Sequence, residues 1–340
     1  MAADRRVVDV HSHHFPRALV HALERRDELP FITEADGRTL IHYGKGNVHP
    51  LEPPMTNLEL RMHDMDAQGI ELAVLSVNVP GVDWFSPADG LAIAREVNDE
   101  LAAVVASHHD RLAWMAALPL QAPDAAASEL ERAAGLGARG AMIYSNVAGH
   151  PLDEARFEVV WEAAARLDLP VLIHPTYPLV ASALDAYALI PTLGFLVDTS
   201  TATLRLVLGG LYERHPDFKL VVAHAGSLIP QLVGRIDYEA ARAPNGRGAL
   251  EVPPSERLRL LYTDCVCVWA PALASTLAFL GPERVMFGSD YPFWDPDRGR
   301  ATLSEAGLDD ERRRLIDEGN ARGLFRLPAG KPSASAGQPR

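Results

Sequence analysis

Val7-Val8-Asp9-Val10-His11-Ser12-His13-His14 is a β-branched run that ends in histidines. Valine fits a pleated, half-buried surface, so the run reads as a strand. Residues two apart in a strand share a face, which aims His11 and His13 the same way with Ser12 behind them. Two imidazoles on one face can grip one cation together, and neutral imidazole nitrogen binds divalent first-row metals well. A surface strand with solvated histidines would look the same, so the remaining ligands must be sought along the chain.

Residues 15–56 follow as a long irregular segment, read as an inserted flap and suspected of function for its length. Within it, apolar runs on either side of Asp36-Gly37 predict a hairpin. The pattern then becomes regular. Helices are expected over 57–68, 88–108, 123–134, 154–167, 198–213, 229–241 and 271–280. Each leads into an apolar strand, over 72–77, 112–118, 140–144, 171–174, 219–224, 258–266 and 285–290. With the first, that makes eight strands. Continuous rather than alternating apolar runs imply a sheet covered on both faces, and the alternation with helices makes it parallel. The expected fold is therefore α/β, a (β/α)8 TIM barrel with a flap after its first strand; an open doubly wound sheet is the competing architecture. Residues 1–329 read as one domain, and 330–340, poor in groups to bury, as a disordered tail.

The 340 residues are 48% hydrophobic and 23% charged, the balance of an ordinary globular protein, and can bury a sizeable core. A formal net charge of −13 with no basic patch argues against nucleic acid as a partner. No apolar run reaches the length of about eighteen residues that suggests a membrane span. Cys265 and Cys267 are two apart on one strand, a poor separation for a disulfide, and are expected as buried thiols. A cytoplasmic, reduced protein is the expectation.

In such a barrel the active site lies at the C-terminal ends of the strands, so polar residues that close apolar runs are the ones to collect. Strand one ends in His11 and His13, strand five in His174, strand six in His224 and strand eight in Asp290. Three histidines and a carboxylate suit one divalent ion, Zn2+ first, with Mn2+ or Fe2+ as alternatives. Taken singly, His174 could be a satisfied strand-end histidine, His224 a turn cap and Asp290 an Asx turn; their joint occurrence argues for a site. Asp264 ends strand seven and is a further candidate. His14, Phe15, Asn78, Trp84, Phe85, Phe293 and Trp294 suit pocket and core equally, and His108-His109 reads as solvated.

Asp9-Val10-His11-Ser12-His13, Leu172-Ile173-His174-Pro175, Ala223-His224-Ala225-Gly226 and Phe287-Gly288-Ser289-Asp290-Tyr291-Pro292-Phe293 occur in that order. Together with Arg61 to Gly69 and Gly319-Asn320-Ala321, they resemble the amidohydrolase-2 branch of the amidohydrolase superfamily, within it the aminocarboxymuconate-semialdehyde decarboxylases. The resemblance implies His11, His13, His174 and Asp290 as ligands of one metal, with a water completing the shell and His224 beside it as general base. It implies Arg235 as a residue that reaches a substrate carboxylate from a neighbouring subunit, hence a homodimer. The sequence departs from the pattern where those enzymes carry a second carboxylate-binding arginine, here His49, and an aromatic residue, here Thr192. Phe293 and Trp294 would complete an apolar wall. The activity implied is decarboxylation of a small unsaturated or aromatic carboxylic acid. Hydrolysis of a lactone or amide, or iron-dependent oxygenase or hydratase chemistry, are the alternatives the same ligands support.

Overall fold

Eight short parallel strands follow one another round a closed ring in the computed structural model, which describes residues 7–44 and 46–330. They are β1 (Val7–His13), β2 (Ile70–Ser76), β3 (Leu112–Trp114, resumed as Ala116–Ala117), β4 (Ala141–Tyr144), β5 (Val171–His174), β6 (Leu220–Val222), β7 (Tyr262–Asp264) and β8 (Val285–Met286). Each pairs in parallel with the next. The ring closes where Val10 N donates to Phe287 O at 3.0 Å and His13 N to Tyr291 O at 2.8 Å. That closure excludes the open-sheet alternative. Apart from Gly330, the tail expected at 330–340 lies outside the described residues.

The strands carry two apolar faces because their side chains alternate. Val8, Val10, Leu72, Val74, Met142, Leu172, Val221 and Met286 pack with one another as the barrel's interior. Val7, Ala73, Leu75, Ile143, Ile173, Leu220, Val222 and Val285 face the surrounding helices. Both faces are buried, which is why the strand sequences read as unbroken apolar runs.

Several boundaries differ from expectation. The strand expected over 112–118 is broken at Met115, where the chain changes partner: Leu112–Trp114 pairs with β2 and Ala116–Ala117 with β4. The helix expected over 198–213 is two, Phe195–Leu208 and Leu211–Arg214, separated at Gly209-Gly210, where Gly210 takes φ +85°. The run expected as a strand over 258–266 begins as the end of the helix Pro254–Leu258. The strands expected over 219–224 and 285–290 end at Val222 and Met286, so His224 and Asp290, at φ +60° and +58°, stand in the turns beyond them. The first expected helix keeps its signals: Asn57 caps Leu58–Ala67 by accepting from Glu59 N and Leu60 N, and Gly69 follows it at φ +63°.

Between β1 and β2 the chain adds a helix, Arg17–Glu24, and an antiparallel sheet of Phe31–Ala35, Arg38–Gly44 and Asn47–Pro50. Asp36 and Gly37 form its two-residue turn at φ +52° and +73°, the left-handed pair that a tight hairpin needs. No helix among the described residues is long and apolar enough to cross a membrane.

Candidate metal centre

A bulge in β1 decides where its histidines point. Asp9 pairs with Ala73 and Ser12 with Leu75, so three steps of β1 oppose two of β2. The extra residue lets Val10 and His11 both turn inward, and strict alternation would have sent His11 outward with Asp9. Ser12 then faces out to Arg61, whose Nη1 donates to Ser12 Oγ at 2.7 Å and whose Nη2 donates to His13 O. Arg61 thus fixes the end of the strand that carries the imidazoles.

Five side chains converge there. His11 Nε2 and His13 Nε2 lie 3.1 Å apart, and Asp290 Oδ1 is 2.9 Å from His13 Nε2, 3.4 Å from His11 Nε2 and 4.0 Å from His174 Nε2. Donor atoms of His11, His174, His224 and Asp290 all fall within 4.8 Å of one another. His224 Nε2 meets Asp290 on its other oxygen, Oδ2, at 3.3 Å. His11, His13, His174 and Asp290 are all buried. The sequence-expected ligands and His224 are therefore together in one place.

Three of the four imidazoles are held from behind, while His224 Nδ1 is buried without a hydrogen-bond partner. His11 Nδ1 donates to Asp264 Oδ2 at 2.7 Å and His174 Nδ1 to Pro175 O at 2.9 Å. Ser76 gives its own proton toward Ser12 O, so its Oγ accepts from His13 Nδ1 at 3.2 Å. With Nδ1 of His11, His13 and His174 engaged in this way, their three Nε2 atoms face a common point, and His174 Nε2 is buried with no hydrogen-bond partner. Ligand atoms bonded at about 2.0–2.2 Å to one ion sit roughly 3 Å from each other; His11, His13 and Asp290 stand at 2.9–3.4 Å, and His174 Nε2 is farther out, 4.0 Å from Asp290 Oδ1. The residues present fit one divalent cation.

The electrostatics agree. Burial opposes charge on His11, but Asp290 and then Asp264 outweigh it and hold the imidazole up to about 9. In the metal-free protein a proton on His11 thus stands in for the cation. Burial pushes His13 down to about 4 and His174 well below the usual histidine range, the neighbouring imidazoles adding to it. Burial also works against the Asp290 carboxylate, yet His11 and His13 keep it well below the ordinary carboxylate range. Neutral His13 and His174 beside an ionised Asp290 are the forms that bind metal.

The other expected residues divide. Phe293 stands edge-on to His13 with ring centroids 6.0 Å apart, and His49 stands edge-on to Phe293 at 5.2 Å, so the inserted sheet reaches the rim of the centre. His49 Nε2 faces Val79 O at 3.0 Å and Nδ1 faces Pro50 O at 3.1 Å. Trp294 is partly exposed beside Phe293. Arg235 is exposed on the helix Ile229–Arg242, and Thr192 is exposed. Phe15 belongs to the main core, while Cys265 is buried and Cys267 only partly so, which corrects the expectation for the second thiol.

Sequence reasoning missed Asp9 and Ser289. Asp9 Oδ1 accepts from His11 N and Ser289 N, and Oδ2 from Ser289 Oγ at 2.5 Å, tying β1 to the segment after β8. The signal was present in Asp9-Val10-His11: a carboxylate in a valine run needs a buried partner.

The amidohydrolase family model of the amidohydrolase-2 branch matches residues 8–327. This chain belongs to that family. It is 34% identical over 294 residues to the gamma-resorcylate decarboxylase of Rhodococcus jostii (strain RHA1), covering 79% of this chain and 87% of that protein. The crystal structure of 5-carboxyvanillate decarboxylase from Sphingomonas paucimobilis superposes with a TM-score of 0.84 at 28% identity, over 95% of this chain and 99% of that one. A dihydroxybenzoic acid decarboxylase from Polaromonas sp. JS666, solved with manganese and 2-nitroresorcinol, gives 0.80 at 26% identity, over 95% and 97%. This amidohydrolase therefore shares both its barrel and most of its length with decarboxylases of aromatic acids.

Proposed function

We propose that the protein is a metal-dependent decarboxylase that removes carbon dioxide from a small aromatic acid with a hydroxyl beside the carboxylate. The observation that carries this reading is the convergence of three imidazole Nε2 atoms on Asp290, in a chain with relatives named for 2,6-dihydroxybenzoate and 6-methylsalicylic acid. We read His11, His13, His174 and Asp290 as ligands of one ion. Zn2+ suits the imidazole-rich set, and the manganese of the Polaromonas relative supports Mn2+ as the alternative. When bound, the ion would supply positive charge that stabilises the negative charge of the acid.

The chain's own residues supply the rest. In the reaction the bond between ring carbon and carboxylate breaks, the ring carbon takes a proton and carbon dioxide leaves. Asp290 divides its oxygens, Oδ1 toward the ligand nitrogens and Oδ2 toward His224, so it links the metal side to a proton carrier. His224 holds and moves that proton at Nε2. Phe293 and Trp294 form the apolar wall against which the ring lies, and His49, with both ring nitrogens against carbonyls, shapes that wall rather than gripping the acid.

We read Arg235 as reaching a substrate carboxylate from a second copy of the chain. Exposed Leu232 and Tyr238 on the same helix support a homodimer built there. Two free cysteines accord with a cytoplasmic setting. The test is carbon dioxide release from 2,6-dihydroxybenzoate and substituted salicylates by protein loaded with zinc or manganese. Release that stops with chelator supports the reading. Hydrolysis of a lactone or amide with no release from any hydroxybenzoate overturns it.

A further inference from the structure

Asp264 closes β7 with a fully buried carboxylate that takes four donors. Oδ2 accepts from His11 Nδ1 at 2.7 Å and His224 N at 3.1 Å; Oδ1 accepts from Ala225 N at 3.0 Å and Val266 N at 2.9 Å. We propose that Asp264 is the positioning residue of the centre, fixing the tautomer of the metal ligand His11 and, through the main chain, the place of the proton carrier His224. The inference rests on the roles given to those two histidines above.

Holding the His11 proton on Nδ1 leaves Nε2 bare for metal, and the opposite tautomer would present a proton to the ion. The same carboxylate holds the backbone that aims His224. His224 and Ala225 adopt φ +60° and +54°, a left-handed pair that side chains disfavour, and each gives its N–H to Asp264. One anionic group therefore sets both the ligand's protonation pattern and the position of its neighbour. No other residue type does this in the space available. An asparagine, turned either way, points its amino group at two of the four donors. A longer glutamate has no room, because Gly288 already lies so close that a Cβ on it would be 2.8 Å from Asp264 Cβ and 3.0 Å from His11 Cβ.

The experiment compares Asp264→Asn with wild type in two ways. Competition with a chelator measures Zn2+ affinity at a temperature where circular dichroism shows the metal-free variant folded, and metal-free melting reports stability separately. The expected result is metal affinity weaker by about 10–100-fold in the folded variant. Nitrogen-15 spectra of the histidines in metal-free wild type, taken where the imidazoles are neutral, are expected to show the His11 proton on Nδ1, toward Asp264. They decide the matter even if the variant does not fold. Wild-type affinity in a folded variant, or a His11 proton on Nε2, overturns the proposal. A wild type that binds metal but releases no carbon dioxide would defeat the decarboxylase reading and leave both measurements standing.

Discussion

The metal side of the barrel mouth and the inserted sheet opposite it are built to different standards. On the metal side three buried imidazoles are each backed by a second buried group: Asp264 behind His11, Ser76 behind His13, Pro175 O behind His174. The sheet of Phe31–Pro50 is largely half-exposed, and it meets the rim through a few contacts such as His49 to Val79 O and Gly44 under the Tyr177 ring. The barrel thus holds the converging donors, and the inserted sheet contributes His49 to the rim beside them.

The hardest blow to that contrast falls on the metal side. His174→Ala should remove metal and activity together, with turnover down by on the order of 10³-fold or more. His224→Ala should retain metal and lose turnover by about 10²–10⁴-fold. Metal analysis beside turnover separates them, and metal lost equally from both variants would make His224 a ligand.

Metal binding should also depend on pH through one imidazole. His11, held up to about 9, is protonated in the metal-free protein at neutral pH, whereas His13 at about 4 is not. A cation must displace the His11 proton, so affinity climbs by up to about tenfold per pH unit as pH rises toward 9. For folding alone the sign is opposite. A raised histidine value stabilises the metal-free fold below about 6.5 and loses that contribution as pH rises through 9. Paired melts with metal and with chelator should therefore show the gain in Tm widening from pH 6.5 to 9, and a flat gain would mean that His11 is neutral without metal.

The smallest effect belongs to the insertion. A Cβ at Gly44 would lie 2.3 Å from the Tyr177 ring, so Gly44→Ala must shift the sheet or the ring. The expected result is a KM several-fold higher and about 1–3 kcal/mol less stability, with metal content unchanged. Steady-state kinetics and metal analysis check it, and lost metal would show the two sides to be coupled.

Much of this was legible locally. β5 falls where the apolar run Val171-Leu172-Ile173 and its terminal His174 place it, and the Asp36-Gly37 turn announces its hairpin. The strand-end rule gathered His11, His13, His174, His224 and Asp290 without coordinates. What escaped were events that depend on a neighbour: the partner change at Met115, the helix break at Gly209-Gly210, and the tie from Asp9 to Ser289, 280 residues away.

The sequence by itself determined the ligand set and the alternating fold, because residue type and hydrophobic period are local properties that each segment carries alone. Only the tertiary structure decided that the set converges. The bulge opposite Ala73 and Leu75 turns His11 inward, and the left-handed turn at His224 and Ala225 is held by Asp264 from the next strand. Register and backbone conformation at such points are set by pairing with other strands.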